Sequence, residues 1–388
     1  METGLSLGAH ACILLLFGLL VLLRLCSPAA LLTPARLLYL LLLVLLQWLC
    51  HTYLPTSLGI ALLGAACCGV LGMSAPGRAL PVAGKTVFIT GCDSGFGHAV
   101  AHKFDAMGFQ VIASVLDIGS AGAKELRRSC SARLTLVQMD LTKSDDIQKA
   151  LQLTKTLTVE TGLWALINNA GVCVHFGNAE LSLMSTYRGC MEVNFFGTLE
   201  ITQAFLPLLR RSKGRIVTVS SPAGDHSFPF LAAYGSSKAA LNRVMDTFRH
   251  ELKPWGIKVC QIQPGCFKTG RSNDLSSWEH QHKHQLANLS EEVLEDYGEE
   301  YLSETIRLFM EFDRTACEDL SPVVDSITDA VLSEHPKHLY FAGKGLRIMY
   351  FIGDYMPFPI SDGFFRAMFL NNTVLPRALR KQCSKRGE

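Results

Sequence analysis

The sequence has no long run of basic residues before its C-terminal tail, and its 36 Lys and Arg nearly balance its 34 Asp and Glu. The formal net charge of +2 does not favour a nucleic-acid partner, because phosphate binding normally needs a concentrated basic patch. Charged residues make up only 18% of the chain and hydrophobic residues 49%. This composition predicts no nucleic-acid partner, and its hydrophobic excess lies mainly in the first 80 residues.

A regular cysteine pattern is also missing. The 13 cysteines are an odd number with irregular spacing, and several lie in apolar stretches, where a free cysteine behaves as a small hydrophobe. Neither a disulfide framework nor a zinc-binding cysteine motif is evident. The expectation is therefore a reducing compartment for the catalytic part and no metal.

The first 80 residues hold three apolar runs, at 9–23, 37–50 and 58–73. Each is shorter than the roughly 20 residues of an ideal membrane span, although flanking apolar residues extend all three. A cleaved signal peptide is a weaker reading of the first run, because no basic segment precedes it and two more runs follow. Buried soluble helices are a weaker reading of the others, because neither run has a polar face. Residues 1–80 are predicted to form a three-span membrane anchor.

The few basic residues of this region predict its orientation. Arg24 and Arg36 lie between the first and second runs, the link between the second and third has none, and Arg78 and Lys85 follow the third. Basic residues favour the cytosolic side of a membrane. The first link and everything after residue 78 are therefore predicted to lie in the cytosol, with the N-terminus in the lumen.

From residue 81 onward, short β-rich runs alternate with helical stretches. Such alternation predicts an α/β fold, here a Rossmann-type doubly wound parallel sheet that is preceded by the helical transmembrane anchor. The catalytic domain is expected to span 81–343 and an aromatic and basic cap or tail to span 344–388. The predicted strands are 86–90, 110–115, 134–139, 164–167, 215–219, 258–263 and a last one near 337–342.

A glycine-rich segment follows the first predicted strand. Gly91, Gly95 and Gly97 permit a tight turn and let the backbone approach a pyrophosphate at a helix N-terminus, although a glycine turn without a ligand is the plainer reading of the spacing alone. Asp117 ends the second strand, where it can accept hydrogen bonds from both ribose hydroxyls and would repel a 2′-phosphate. No Arg or Lys lies in the loop or beside Asp117, so NAD is favoured over NADP. Asp140, at the end of the third strand, is placed to bind the adenine amine.

Tyr234 and Lys238 lie four residues apart, so on a helix they share one face. Free tyrosine has a pKa of about 10 and is a poor base at neutral pH. A lysine ammonium and a cationic nicotinamide would both favour the phenolate and depress that pKa. Ser221, at the end of the fifth strand, can hydrogen-bond a substrate oxygen, and Asn194 could hold a water that links Lys238 to solvent.

These motifs occur in one order along the chain: a glycine loop, an acidic strand end, Asn168-Asn169-Ala170-Gly171, Ser221 and Tyr-x-x-x-Lys. This set resembles the classical short-chain dehydrogenase/reductase family over roughly residues 82–343. The resemblance implies a catalytic tetrad of Asn194, Ser221, Tyr234 and Lys238, with Ser221 and Tyr234 binding the substrate. It also implies that the NAD contacts are Gly91, Ser94, Gly95, Phe96, Gly97, Asp117, Asp140, Leu141, Asn169, Ala170, Gly171, Lys238, Pro264, Gly265 and Thr269.

Within that family, the segments 91–97, 221–225 and 263–269 resemble those of membrane-bound hydroxysteroid dehydrogenases. This likeness implies NAD-dependent oxidation of the 11β-hydroxyl of glucocorticoids at the endoplasmic reticulum membrane. A 17β-hydroxysteroid dehydrogenase, a retinol dehydrogenase and an inactive dehydrogenase fold that serves as a membrane scaffold stay open as alternatives. The aromatic C-terminal segment is expected either to pack as a cap or to touch the membrane as well. A homodimer is suggested only by analogy with the fold.

Overall fold

The computed structural model describes residues 79–173, 176–269, 283–369 and 375–380, together with some of the residues between 42 and 65. The chain divides into two compact units, Met1–Gly77 and Arg78–Glu388. Among the described residues, no helix combines the length and the apolar character that crossing a membrane requires. The predicted run at 9–23 lies outside the described residues, and the runs at 37–50 and 58–73 lie partly outside them.

A parallel sheet forms the centre of the second unit. Its seven strands follow the order β3-β2-β1-β4-β5-β6-β7, and each neighbouring pair is parallel. The order in which the chain adds strands reverses between β1 and β4. This position is the topological switch point, and ligands bind beside it in this class of fold. The strands are β1 Thr86–Ile89, β2 Gln110–Val115, β3 Leu134–Gln138, β4 Ala165–Asn168, β5 Arg215–Val219, β6 Lys258–Pro264 and β7 Leu339–Ala342.

Helices cover both faces of the sheet, because alternate side chains of each strand point to opposite sides. Val87 and Ile89 belong to one apolar core, whereas Phe88 belongs to the other and packs its ring 4.9 Å from that of Phe205. The described helices are α1 Gly95–Met107, α2 Ala121–Ser129, α3 Ser144–Leu157, α4 Met184–Met191, α5 Thr198–Ser212, α6 Ala232–Glu251, α7 Glu291–Tyr297, α8 Glu299–Arg314, α9 Ser321–Leu332, α10 Leu346–Tyr355 and α11 Phe358–Phe369.

The predicted strands correspond closely to the observed ones. β2 and β5 have the predicted bounds, and the others differ by one or two residues at an end. The segment that contains Asn194 is unusual, because Glu192–Gly197 forms a π-helical segment between α4 and α5. π-Helical turns inside α-helices are frequent at functional sites. Short 3-10 turns also form at Pro222–Gly224 and Lys253–Trp255.

The C-terminal helices pack against the segment that follows β5. Leu346, Met349 and Tyr350 of α10 form a small buried core with Phe228 beside it. His226 lies between rings of this cap, with centroids 5.1 Å from Phe365 and 4.7 Å from Tyr350. Rings of α10 and α11 therefore contact His226 in the segment after β5, and the role of residues 344–388 as a cap stays a prediction.

Candidate active site

The loop between β1 and α1, called the glycine cradle below, has a backbone conformation and close contacts that require glycine at Gly91, Gly95 and Gly97. Gly91 and Gly95 have φ of 69° and 60°, in the left-handed region that favours glycine. A Cβ on Gly91 would lie 2.9 Å from Ala170 Cα, and one on Gly97 would lie 2.3 Å from the Gly91 carbonyl oxygen. A Cβ on Gly95 would lie 2.9 Å from Thr269 Cβ. The structure thus brings these predicted cofactor residues to one place, the N-terminus of α1, where backbone N–H groups favour an anion.

Asn169 and Thr90 fix this loop to the end of β4. Asn169 Nδ2 donates to the carbonyl oxygens of Thr90 and Gly91, at 2.9 and 3.0 Å. Thr90 Oγ1 in turn accepts from the backbone N–H groups of Asn169 and Ala170, both at 2.9 Å. Thr90 was not predicted, since its role depends on a partner 79 residues away. Ser94 precedes α1 in an extended conformation and makes no side-chain cap bond.

Asp117 lies exposed at the carboxyl end of β2, where the predicted ribose contact requires it. Its Oδ1 accepts from Gly119 N at 2.8 Å. The neighbouring Asp93 of the glycine loop holds this turn, because its carboxylate accepts from the backbone N–H groups of Leu116 at 2.9 Å and Asp117 at 3.3 Å. Asp93 is a second functional position that the sequence did not single out.

Asp140 ends β3 beside the same edge of the sheet. Its Oδ1 accepts from Thr142 N at 3.0 Å and Thr142 Oγ1 at 2.8 Å, and Lys143 Nζ lies 3.4 Å from its other oxygen. Burial acts to raise the pKa of Asp140, but these donors outweigh it and lower the pKa. Thr142 does not cap the next helix, because α3 begins at Ser144 and its N-cap residue is Lys143. Leu141 packs on the π-helical segment, where a Cβ on Gly197 would lie 2.6 Å from its carbonyl oxygen.

The fully buried Asn194 lies in the π-helical segment. Its Oδ1 accepts from Val172 N at 2.8 Å, and its Nδ2 donates to Val172 O at 2.8 Å and to Ser237 Oγ at 2.9 Å. The amide thereby joins the segment after β4 to the catalytic helix α6. The water path through Asn194 stays a prediction, whereas this clamp is a contact that the sequence did not reveal.

The Tyr-x-x-x-Lys motif lies in the first two turns of α6, as predicted. Lys238 Nζ lies 5.8 Å from the centroid of the Tyr234 ring and donates to the Val219 carbonyl oxygen at 3.1 Å. Tyr234 is hydrogen-bonded to Ser221, whose Oγ also accepts from Ala223 N at 3.2 Å. Serine hydroxyl, phenol and ammonium therefore meet at the carboxyl end of β5.

Burial dominates the electrostatics of this group. It raises the pKa of Tyr234, although the Ser221 hydrogen bond acts to lower it. Burial also lowers the pKa of Lys238 to about 8. The reason is desolvation, which disfavours the charged form of both groups. The predicted lowering of the Tyr234 pKa depends on Lys238 together with a cationic nicotinamide, so it stays a prediction.

Asp225 connects the active-site loop to three other parts of the domain. Its Oδ1 accepts from Asn242 Nδ2 of α6 at 2.7 Å, and its Oδ2 accepts from Gln263 Nε2 of β6 at 3.1 Å and from Tyr350 OH of α10 at 2.6 Å. These bonds hold the Ser221 loop against the catalytic helix and the C-terminal cap. Asp225 was part of a motif, but its role needed the folded structure.

The segment after β6 approaches the same edge. Pro264 is the last residue of β6 and pairs with Ala342, and Gly265 N donates to the Ala342 carbonyl oxygen at 2.8 Å. Phe267 stacks edge-on against Phe96, with ring centroids 5.5 Å apart. Together with the contact between Thr269 and Gly95, these residues close the glycine cradle on its second side.

These residues fit a nicotinamide dinucleotide. The cradle at the N-terminus of α1 would hold the pyrophosphate and Asp117 the adenosine ribose, while the predicted nicotinamide side lies near Lys238. A Cβ on Gly171 would lie 3.3 Å from Lys238 Nζ and 3.2 Å from Asn194 Oδ1, so this position also needs to stay open. When bound, the cofactor supplies a hydride acceptor or donor.

A family model described as short chain dehydrogenase matches residues 85–280. The chain belongs to the short-chain dehydrogenase family and is an oxidoreductase of that family. The resemblance inferred from the motifs is thereby confirmed.

Two relatives of this chain are hydroxysteroid dehydrogenases. The chain is 52% identical to the 11-beta-hydroxysteroid dehydrogenase type 2 of Bos taurus, over 87% of this chain and 84% of the relative. It is 45% identical to the 17-beta-hydroxysteroid dehydrogenase type 2 of Homo sapiens, over 78% of each chain. A short chain dehydrogenase/reductase from Burkholderia phymatum in complex with NAD has a TM-score of 0.58 at 20% identity, over 70% of this chain and 94% of that chain. That last likeness shows the fold alone.

Proposed function

We propose that this protein oxidises the 11β-hydroxyl of a glucocorticoid with NAD. The observation that carries the proposal is the 52% identity to an 11-beta-hydroxysteroid dehydrogenase type 2 across most of both chains. The assembled group of Ser221, Tyr234 and Lys238 supports an active enzyme rather than an inactive scaffold. The 17β-hydroxysteroid reading rests on a lower identity of 45% and is the second candidate.

Ser221, Tyr234 and Lys238 would each have a separate role in alcohol oxidation. Ser221 Oγ and the Tyr234 hydroxyl would hold the substrate oxygen, which aims the carbon-bound hydrogen at the cofactor site. Tyr234, as phenolate, would take the hydroxyl proton, and bound NAD would supply the acceptor for the hydride of the C–H bond, so that the alcohol would become a ketone. Lys238 would stabilise the phenolate, since its ammonium lies near the ring and is held by the neutral Val219 carbonyl.

The choice of NAD over NADP is proposed from Asp117. A carboxylate at this exposed strand end can accept bonds from ribose hydroxyls, whereas it repels a 2′-phosphate. Asp93 supports this role, because it fixes the backbone of Asp117 rather than competing for the ribose. The ratio of kcat/KM for NAD to that for NADP measures the preference.

The substrate end of the site supports an apolar ligand. Phe230, four residues before Tyr234, has φ of 70°, a left-handed conformation that costs a bulky residue roughly 1–3 kcal/mol. Its backbone carbonyl accepts from Gly177 N at 2.9 Å and its ring lies 5.3 Å from that of Phe176, so the surroundings hold this strained conformation. Because Phe230 precedes the helix that carries Tyr234, these two buried rings support an apolar substrate such as a steroid.

The experiment compares kcat/KM for cortisol and estradiol with NAD, using membranes from cells that express the full-length protein. We expect cortisol to be converted to its 11-ketone and estradiol to react far more slowly. A clear preference for estradiol would move the assignment to a 17β activity, and turnover of retinol alone would move it to a retinol dehydrogenase. Lack of turnover of all three would contradict the enzyme proposal.

The location at the endoplasmic reticulum membrane, with the catalytic part in the cytosol, belongs to the same proposal. It is supported by the three apolar runs of the sequence and by exposed apolar side chains on the cap, among them Ile348 at 56%, Phe358 at 78% and Ile360 at 55% exposure. The sequons at 288–290 and 371–373 then stay without glycan. A mobility shift on endoglycosidase treatment of the microsomal protein would contradict this orientation.

A further inference from the structure

Two histidines and a glutamate converge outside the active site, on the outer faces of α1 and α2. His98 and His102 lie one turn apart on α1, and Glu125 lies on α2. Glu125 Oε2 is 2.7 Å from His98 Nε2 and 2.8 Å from His102 Nε2. Within the described ranges, this is the one group of His, Cys, Asp and Glu whose ligand atoms all lie within 4.8 Å of one another.

Hydrogen bonds behind the two rings turn the ligand atoms toward one point. His98 Nδ1 lies 3.1 Å from the Cys92 carbonyl oxygen, which can only accept, so Nδ1 carries the proton. This bond turns Nε2 of His98 toward the Glu125 carboxylate. His102 Nδ1 lies 3.5 Å from Cys130 Sγ, a contact that turns Nε2 of His102 toward the same carboxylate. Such contacts to the second ring nitrogen orient metal-binding histidines in general.

Both Nε2 atoms lie within hydrogen-bond distance of the same Glu125 oxygen, so a divalent cation could bind at this point by displacing the protons that the three side chains share. We propose that His98 Nε2, His102 Nε2 and a Glu125 carboxylate oxygen form a binding site for a divalent transition metal of the zinc type. Imidazole and carboxylate are ordinary zinc ligands, at about 2.0–2.2 Å from the metal. Tetrahedral ligands at that distance are about 3.3 Å apart, so the Glu125 carboxylate would move by roughly half an ångström.

The fourth ligand position is assigned to water. The three side chains are between 22% and 36% exposed, which leaves solvent and a metal ion access to the cluster. Ser129 Oγ donates its own proton to the Glu125 carbonyl oxygen at 2.7 Å and lies 3.1 Å from His102 Nε2, so it can accept from that nitrogen or from a metal-bound water. Burial raises the pKa of the Cys130 thiol, which favours a role behind His102 rather than as a ligand.

The metal would link α1, which follows the glycine loop, to α2, which follows Asp117. His98 holds the Cys92 carbonyl within that loop, and a Cβ on Gly122 of α2 would lie 1.9 Å from the Asp93 carbonyl oxygen. The two helices thus already meet at the loop. The sequence offered the signal as a His-x-x-x-His pair on one face of α1, but the partner glutamate came only with the fold.

The test is titration of the tag-free, metal-free full-length protein with Zn²⁺ by calorimetry. We compare the unaltered protein with His102→Gln, Glu125→Gln and the exposed His335→Gln as the matched control. One saturable site is expected in the unaltered protein and in the control, with affinity at least about tenfold lower in the other two variants. Zinc at about 100 times its Kd should raise the melting temperature of the unaltered protein and of His335→Gln by about 4 °C. The melting temperatures of His102→Gln and Glu125→Gln should not rise.

Co²⁺ substitution separates this site from a cysteine site. The expected spectrum lacks thiolate-to-metal charge transfer, because the ligands are nitrogen and oxygen. Lack of saturable zinc binding, equal affinity in all four proteins or a thiolate band would each overturn the proposal. Circular dichroism of His102→Gln and Glu125→Gln checks that both variants fold, and either one alone suffices for the comparison.

Discussion

Replacement of Lys238 by methionine should inactivate the enzyme and yet stabilise its fold. Lys238 is 3% exposed, and burial lowers its pKa from 10.5 to about 8. A buried ammonium without a carboxylate partner disfavours the folded state, whereas methionine has similar length and no charge. Loss of the ammonium should lower kcat by about 10²–10⁴-fold, the usual contribution of acid–base assistance.

The magnitude of the stabilisation follows from the pKa. A lowering from 10.5 to about 8 corresponds to roughly 3 kcal/mol at neutral pH, since each pKa unit equals about 1.36 kcal/mol. The methionine variant leaves the Val219 carbonyl without its donor, which costs about 1 kcal/mol. The net gain of about 2 kcal/mol should raise the melting temperature of a domain of this size by about 3 °C.

The pH dependence gives the sign of the effect. Because the folded-state pKa lies below the unfolded one, the unfolded chain holds more protons between about pH 8 and pH 10.5, and the stability of the unaltered protein rises across that window. The advantage of Lys238→Met should therefore shrink by roughly 1 kcal/mol between pH 7 and pH 9. Thermal unfolding without cofactor measures both values, with the exposed Lys253→Met as control. A variant less stable than the unaltered protein at pH 7, or a gain that does not depend on pH, would refute the reasoning.

Three further changes test other parts of the site. Tyr234→Phe should lower kcat at least about 10³-fold. The dissociation constant for NAD, measured by fluorescence quenching, should stay within about twofold. Near-normal turnover would rule out Tyr234 as the base. Asp117→Ser should weaken NAD and improve NADP in kcat/KM, and an unaltered protein that already prefers NADP would contradict the role of Asp117. Tyr350→Phe removes a 2.6 Å bond to the Asp225 carboxylate and should cost about 1–2 kcal/mol in chemical denaturation, whereas unchanged stability would show that the cap does not depend on this contact.

The strands were predictable because a parallel sheet covered on both faces needs continuous apolar runs. β2, with one partly and five fully buried residues, and β5, buried throughout, stand out in the sequence and have the predicted bounds. The π-helical segment was not predictable, since one extra residue per turn leaves no sequence period of its own. It nevertheless decides where Asn194 lies.

The chemistry-bearing residues were predictable for a similar reason. Ser221 follows β5 and Asp117 follows β2, and the carboxyl ends of parallel strands meet at one edge of the sheet. The sequence could not show the hydrogen bonds that hold these residues in place. Thr90 and Asp225 act through partners far away in the chain, so only the folded structure reveals their bonds.

Among the described residues, the hydrogen-bond partner of Lys238 Nζ is the neutral Val219 carbonyl, and this explains why the site tolerates an unfavourable burial. A carboxylate beside Nζ would stabilise the ammonium and raise its pKa, but its negative charge would cancel the field of the ammonium at the Tyr234 phenol. The Val219 carbonyl satisfies a donor of Lys238 without a net charge, so the positive charge acts on the phenol undiminished. A site built only for stability would place an acid or an apolar residue at this position. The neutral partner is therefore physical evidence for catalysis that is independent of the family resemblance.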